Sequence, residues 1–531
     1  MRTKIVGLIL ISFSVQLFAQ SGRGRNPAPP PPPKPTTNQP TVAAPTILNL
    51  PDGGKIMKHE VENSTSRFVL KNGLTVIIRE RHSVPLAAVT TYIKAGYFNE
   101  PDETAGLAHL MEHMFFKGTT SRPIGKIETD TAKLGGQLNA STSYEKTSFY
   151  AIAPAESLPK ILEIQADMLL NPTFDAEEIK KEALVVIQES KRKQDNAPAL
   201  ALEKMYGTAF TTHRMKRWRI GSEAVLQSAT REQLQAYYQS FYRPENTVLV
   251  IVGDIFTMQI IGQIQQLYAN FAAAPKVEIK PENKGDKSTA PAPVSTVKKT
   301  VTQPNSKPAT SAKPAPKEPV IAAAPVIPAV PVAPVAALGL EESAQEKLRY
   351  SNERGDIGQS VITFGYHVPA LTKTAEGLKE QAALEVMSAV LGLGRGARLH
   401  QSLIEKSASA SSVNIDFSAL PTAGIFSAQL TTTPDRIDKA EAEYFREIEK
   451  FRREILSDGE LQRAKSMLEK NFYNATAALN NESEFLAYYQ SQLGDFKLLD
   501  SAMDRMRAVT AKDIQQVAAK YFSISNTTVH E

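Results

Sequence analysis

The sequence predicts an α+β protein: a duplicated layered sheet-and-helix unit, its two homologous halves joined by a disordered Pro/Ala/Lys linker. Three observations carry that expectation. Strand-like runs such as Leu74–Arg79 and Val248–Val252 alternate with long helical stretches, the pattern of sheets layered with helices. Residues 272–349 contain no aromatic side chain, and thirteen prolines fall between Pro275 and Pro334, a composition that cannot bury a core. Finally, the segment from Thr230 to Asn246 has a counterpart from Thr510 to Asn526 at a constant offset of 280. Each reads as a capped helix, an aromatic pair and a turn at Asn leading into a Val/Thr strand.

Taken in order, the chain opens with Arg2 and Lys4 before an uncharged run from Ile5 to Phe18 and then Ala19. That is the layout of a signal peptide over 1–19, and the run is shorter than the ~20 residues a spanning helix needs. Nothing further along is apolar enough to span a bilayer, so the mature protein is expected to be periplasmic or secreted. Residues 20–55 form a Pro-rich disordered segment, with nine prolines between 27 and 45. A first globular half follows over 56–271, a low-complexity linker over 272–345 and a second half over 346–531. Within the linker, the Val/Ile-rich part from Val320 to Leu340 could instead dock as a strand.

Composition narrows the chemistry. The net charge of +5 is small for 531 residues, and a Lys-rich stretch between 276 and 317 lies within the linker, so no nucleic-acid groove is expected. The chain has no cysteine, which removes disulfides, thiolate zinc sites, cysteine nucleophiles and a lipidated cysteine.

Two of only eight histidines lie in Ala108-His109-Leu110-Met111-Glu112-His113-Met114. At ~100° per residue, Leu107, Leu110, Met111, Met114 and Phe115 fill one arc of a helix, with His109, Glu112 and His113 opposite. Two imidazoles one turn apart reach a single ion, with a carboxylate between them. The plainer reading is the solvated face of an amphipathic helix. A catalytic zinc usually takes three protein ligands, so a third donor is expected from another helix. Glu182-Ala-Leu-Val-Val-Ile-Gln-Glu189 is apolar around most of its circumference and is expected to be buried, with its glutamates seven apart on one face. Buried carboxylates need a partner, and a metal is a good one; taken alone, the segment also reads as an ordinary helix with exposed acids.

His109-x-x-Glu112-His113, followed 76 positions after His113 by Glu189, resembles the pitrilysin/insulinase (inverzincin) metallopeptidase family, in its short, processing-peptidase-like branch and as the catalytic type of subunit. The resemblance extends to Asn72-Gly-Leu-Thr-Val, Asn139-Ala-Ser-Thr-Ser-Tyr-Glu-Lys-Thr, and Tyr242-Arg-Pro-Glu-Asn-Thr leading to Val252-Gly-Asp. It covers nearly all of the first half, and the second half resembles the family's inactive repeat.

The resemblance implies a zinc-dependent endopeptidase acting on unfolded peptides, with Zn2+ held by His109, His113 and Glu189. Glu112 would be the general base and Glu182 a supporting carboxylate, while Asn139 and Ala140 match an edge strand that holds extended peptide by backbone pairing. Glu145 stands where aspartate is more usual. Aligning Glu178-Ile179 with Glu460-Leu461 puts Ala464 and Asn471 opposite Glu182 and Glu189, so the second half has no zinc set. His400 reads as packing or surface, and the basic cluster Arg214 to Arg219 after His213 as a solvated loop. Family members enclose substrate between two such bodies, the far one supplying an arginine and, seven residues on, a tyrosine. Ile404 and Ser411 occupy those positions, so the resemblance implies a heterodimer with a zinc-less sister subunit carrying the Arg/Tyr pair. Should the register be slipped, Arg398 could serve. The competing class is a non-catalytic scaffold or peptide-binding subunit of the same fold.

Overall fold

The computed structural model describes residues 56–272, 340–355 and 358–531. The stretches read as a signal peptide (1–19) and a Pro-rich segment (20–55), and most of that read as a linker, fall outside the described residues.

Among the described residues, twelve strands form two sheets. The first contains β1 (Ile56–Glu62), β2 (Thr65–Leu70), β3 (Thr75–Glu80), β4 (Leu86–Ile93), β5 (Gln137–Thr142), β6 (Thr147–Pro154) and β7 (Thr247–Gly253), in the order β1-β2-β3-β7-β4-β6-β5. The second contains β8 (Arg349–Ser351), β9 (Ser360–Val368), β10 (Ser412–Ala419), β11 (Gly424–Thr432) and β12 (Thr527–His530), in the order β10-β11-β9-β12-β8. Read from the other edge, the second sheet repeats the run β3-β7-β4-β6-β5. In both, the last strand of the half enters the middle of the sheet, parallel to one neighbour (β3 or β8) and antiparallel to the other (β4 or β9).

Helices follow the same duplication. The first half carries α1 (Leu107–Met114), α2 (Lys126–Lys133), α3 (Leu158–Leu170), α4 (Ala176–Gln194), α5 (Ala197–Ala209), α6 (Glu223–Gln227), α7 (Arg231–Phe241) and α8 (Thr257–Leu267). The second carries α9 (Ala375–Gly392), α10 (Ile437–Arg453), α11 (Asp458–Ala477), α12 (Leu479–Tyr488), α13 (Ala502–Ala508) and α14 (Ala511–Tyr521). The 280-residue repeat corresponds to α7–β7 and α14–β12. Thr230 with Gln233 and Thr510 with Asp513 form capping boxes at the two helix starts. Asn246 donates its amide to the carbonyls of Lys94 and Phe241; Asn526 does the same to those of His367 and Tyr521. The α+β duplication expected from the sequence is what the structure shows.

The halves share one compact body. One face of the first sheet packs on its own helices through Phe68, Val76, Ile78, Val89 and Ile251. Its other face, with Ile77, Ala88, Tyr92, Val250 and Val252, joins the core of the second half. There α12 lies on β4 and β7, with Thr90 Oγ1 2.6 Å from Ser483 Oγ. Reciprocally α5 crosses the second sheet: Gln429 donates to Pro198 O at 2.7 Å, and a Cβ on Gly365 would meet Met205 Sδ at 2.4 Å. Arg79 and Arg81 both bond the nearly buried Glu482 across the boundary.

The linker assignment of 272–345 ran too far at its C-terminal end. Leu340 is buried in the core of the first half, and Glu342 accepts the backbone N–H groups of Thr211, Thr212 and His213 at 2.8–3.0 Å. An aromatic-free composition hides an anchor made of one leucine and one carboxylate.

Candidate metal centre

The site is built on α1 and α4. As the 3.6-residue period requires, Leu107, Leu110, Met111, Met114 and Phe115 are buried, whereas His109, Glu112 and His113 are partly open on the opposite face. Opposite them lies α4, started by Asp175, whose side chain accepts from the N–H groups of Glu177 and Glu178. Burial of α4 is one-sided, which corrects in part the expectation that the apolar segment 182–189 is buried. Glu182, Ala183, Val186 and Ile187 face inward, but Leu184 and Val185 are exposed. The helix lies against the body rather than through it, so apolar residues a quarter-turn off the contact face remain in solvent.

Seven residues is nearly two full turns, so Glu182 and Glu189 reach the same imidazole. Glu189 Oε2 lies 3.6 Å from His109 Nε2 and 3.7 Å from His113 Nε2. The two rings stand nearly perpendicular, with centroids 4.9 Å apart. One ligand atom from each of His109, His113 and Glu189 can be chosen so that all lie within 4.8 Å of one another; among the described residues this is the single such group. Behind it, Glu182 Oε2 meets His113 Nδ1 at 3.0 Å, and Lys117 Nζ holds Glu182 Oε1 at 2.7 Å.

The electrostatics suit a cation. Burial, with the neighbouring His113 and Lys193, pushes His109 down to about 3, so its imidazole is neutral. For His113 burial works downward, but the Glu182 bond and the Glu112 and Glu189 charges outweigh it, leaving the pKa raised. Glu112 is raised by burial, against a bond from Thr142 and the charge of His113, and its Oε2 is buried without a partner. Two imidazoles and a carboxylate converging beside that orphaned oxygen fit a tetrahedral zinc ion with one open position.

β5 is the outer strand of its sheet, pairing only with β6, and Asn139 and Ala140 stand at its centre opposite Tyr150 and Phe149. Asn139 is exposed, and its Oδ1 accepts from Ala140 N at 2.9 Å. In the second half, Ala464 and Asn471 are buried on α11 where α4 has its glutamates.

The basic cluster is not a solvated loop. His213 is fully buried, Arg214 donates to Phe98 O, Arg217 to Tyr97 O and Glu100 O, and Arg219 pairs with the buried Glu203 at 2.6 Å. Its partners lie on α5 and in the loop before α1, so local composition carried no sign of them. Three participants escaped the sequence reading. Lys117 had a usable signal, lying one turn beyond His113 on the same face. Thr142 lies within the Asn139–Thr147 segment of the resemblance but was given no role there, and Glu100, which accepts the N–H groups of Gly106 and Ala108, had no signal at all.

A duplicated body carrying this donor set is of the metal-binding class. More narrowly, the chain belongs to the insulinase (M16) family. Residues 75–223 match the model described as Insulinase (Peptidase family M16), and residues 228–468 match the Peptidase M16 inactive domain. Zinc is the cofactor of that family. A Rickettsia felis protein named an uncharacterized zinc protease is 25% identical over 460 residues, 86% of this chain and 95% of its own length. A probable mitochondrial-processing peptidase subunit beta from Arabidopsis thaliana is 32% identical over 206 residues, 39% of each chain. The fold is shared with a protease from Helicobacter pylori (TM-score 0.72, 21% identity, 89% of this chain and 98% of that one). It is also shared with the periplasmic protease PqqL of Escherichia coli (TM-score 0.63, 18% identity), where 88% of this chain covers 47% of the other.

Proposed function

We propose that this chain is an exported zinc endopeptidase that hydrolyses unfolded peptides. The reading is carried by the convergence of His109 Nε2, His113 Nε2 and Glu189 Oε2 beside the unpartnered Glu112 Oε2. His109, His113 and Glu189 would hold the ion, which when bound supplies a Lewis acid that polarises a carbonyl and acidifies water. Glu112 accepts the proton of the attacking water at its carboxylate and returns it to the leaving amine; its raised pKa favours both halves of that exchange. Glu182 orients His113. Asn139 and Ala140 on the free edge of β5 pair with substrate backbone as an added strand, which selects extended peptides over folded ones.

Export is supported by the charged, apolar and small-residue layout of 1–19, and no helix among the described residues is long and apolar enough to cross a membrane. The partner is a sister subunit without a zinc set. This chain spans about half of the Escherichia coli protease that shares its fold, and Ile404 and Ser411 stand where the family resemblance calls for an arginine and a tyrosine. The scaffold alternative is separated by one experiment on the native complex. Zinc stoichiometry near one per chain, with peptide cleavage abolished by Glu112→Gln and the metal retained, supports the peptidase. Undiminished cleavage in that variant, or a metal-free inert complex, overturns it.

A further inference from the structure

Glu100 belongs to none of the motifs above, yet its carboxylate is fully buried against the start of the metal-bearing helix. α1 has only eight residues and begins after Gly106, which has φ 110° and no side chain to cap the helix. A short helix has little stability of its own and leaves its first N–H groups free. Glu100 takes two of them: Oε2 accepts Gly106 N at 3.0 Å, and Oε1 accepts Ala108 N, one residue before His109. Burial pushes the Glu100 carboxyl up to about 7 against those two N–H bonds and the Arg217 charge, so it is the two accepted N–H bonds, more than a full charge, that tie it to the helix start.

The carboxylate is itself held. Arg217 donates to Glu100 O at 3.0 Å and to Tyr97 O at 2.6 Å, and lies 3.6 Å from Glu100 Oε2. On the other side the helix start abuts the 220–221 backbone. A Cβ on Gly106 would lie 2.9 Å from Ile220 O, and one on Gly221 would lie 2.3 Å from Ala105 O. The N-terminus of α1 is thus clamped between backbone on one flank and, on the other, the buried Glu100 carboxyl backed by the partly buried Arg217.

We propose that Glu100 is a positioning residue: by fixing the first turn of α1 it sets where His109 and His113 stand relative to Glu189. The inference rests on the zinc reading and deepens it. A cap of merely structural value would lower stability in proportion to what it buries. A positioning cap costs metal affinity beyond that.

The test uses the full chain with Glu100→Gln, which keeps the volume but loses the charge and one acceptor. Ile264→Ala, at a buried position in α8, a helix that packs on α3 and β3, serves as the stability control. Zinc alone is titrated against a chromogenic chelator, and amide exchange over residues 106–112 is followed in metal-free protein. For Glu100→Gln we expect zinc affinity to fall about tenfold or more, and exchange of 106–112 to quicken about tenfold. The control, even with a comparable loss of melting temperature, keeps both within about twofold. Zinc affinity in Glu100→Gln equal to that of wild type or of the control overturns the proposal. Should Glu100→Gln not fold, Arg217→Lys removes the planar fork and is expected to weaken zinc about threefold; unchanged affinity there overturns it equally. A wild-type chain that takes up no zinc sinks the zinc reading instead, and exchange over 106–112 then decides the positioning claim by itself.

Discussion

His113 is gripped at both ring nitrogens by one helix: Nδ1 lies 3.0 Å from Glu182 Oε2, and Nε2 lies 3.7 Å from Glu189 Oε2. The Glu182 bond keeps the proton on Nδ1 and leaves the Nε2 lone pair for an ion. Glu182 can do this because it stays ionised. Burial works to raise its pKa, but His113 and Lys117 outweigh burial and hold it below the ordinary carboxylate range.

Glu182→Gln should therefore weaken zinc binding by about 10- to 100-fold without removing a ligand. The amide still reaches His113 but carries no charge, and it leaves Lys117 unpaired. Chelator competition and turnover at saturating zinc check this together. Wild-type affinity in the variant would show that His113 needs no carboxylate behind it.

The anchor at Glu342 gives a pH dependence with a definite sign. Burial acts to raise its pKa, but the N–H groups of His213, Thr212 and Thr211 and the Thr211 hydroxyl bring it down to about 2, from 4.5. A folded-state pKa depressed in this way contributes stability that is complete above about 4.5 and is lost as pH falls toward about 2. The melting-temperature gap between wild type and Glu342→Gln should be widest near neutral pH and close between those values. A gap constant down to pH 2 would count against the carboxylate as the anchor.

What could be read from the sequence follows from the range of the interactions. His109, Glu112 and His113 lie within one turn, and Glu182 and Glu189 within two, so helical periodicity alone shows which side chains share a face. The 280-residue repeat was legible because capping boxes and the Asn turn are local devices. Side chains whose partners are distant in sequence left no such trace. Arg217 answers Glu100 across 117 residues, Glu342 answers Thr211 across 131, and Lys146 pairs with Glu484 from the other half. Leu184 and Val185 misled for the opposite reason. Composition reports how apolar a helix is, whereas exposure depends on how much of its circumference finds a neighbour.

The last prediction concerns the proposed sister subunit. Ile404 sits in the irregular helical turn His400–Lys406 and offers no donor. Ser411, just before the outer strand β10, spends its hydroxyl on Thr431 O at 3.1 Å. Arg398, the candidate substitute in a slipped register, is committed elsewhere. Its guanidinium bonds both carboxylate oxygens of Glu460 at 2.9 and 3.1 Å, and lies 4.7 Å from the Phe451 ring centroid. Freeing it would strip a bidentate ion pair and a cation–π contact in one step. A second copy of this chain therefore brings no ready guanidinium to face the zinc site at that position. Loss of one preorganised donor to a developing oxyanion costs about 10²–10³ in turnover. This chain expressed alone with zinc should load the metal normally yet cleave unstructured peptides at least about 10²-fold more slowly than the native complex. Addition of a co-purifying paralogue that carries the Arg/Tyr pair should restore the rate, and mutation of that arginine should abolish the rescue. Full activity from a homogeneous monomer or homodimer would mean that the groups facing the zinc come from this chain after all.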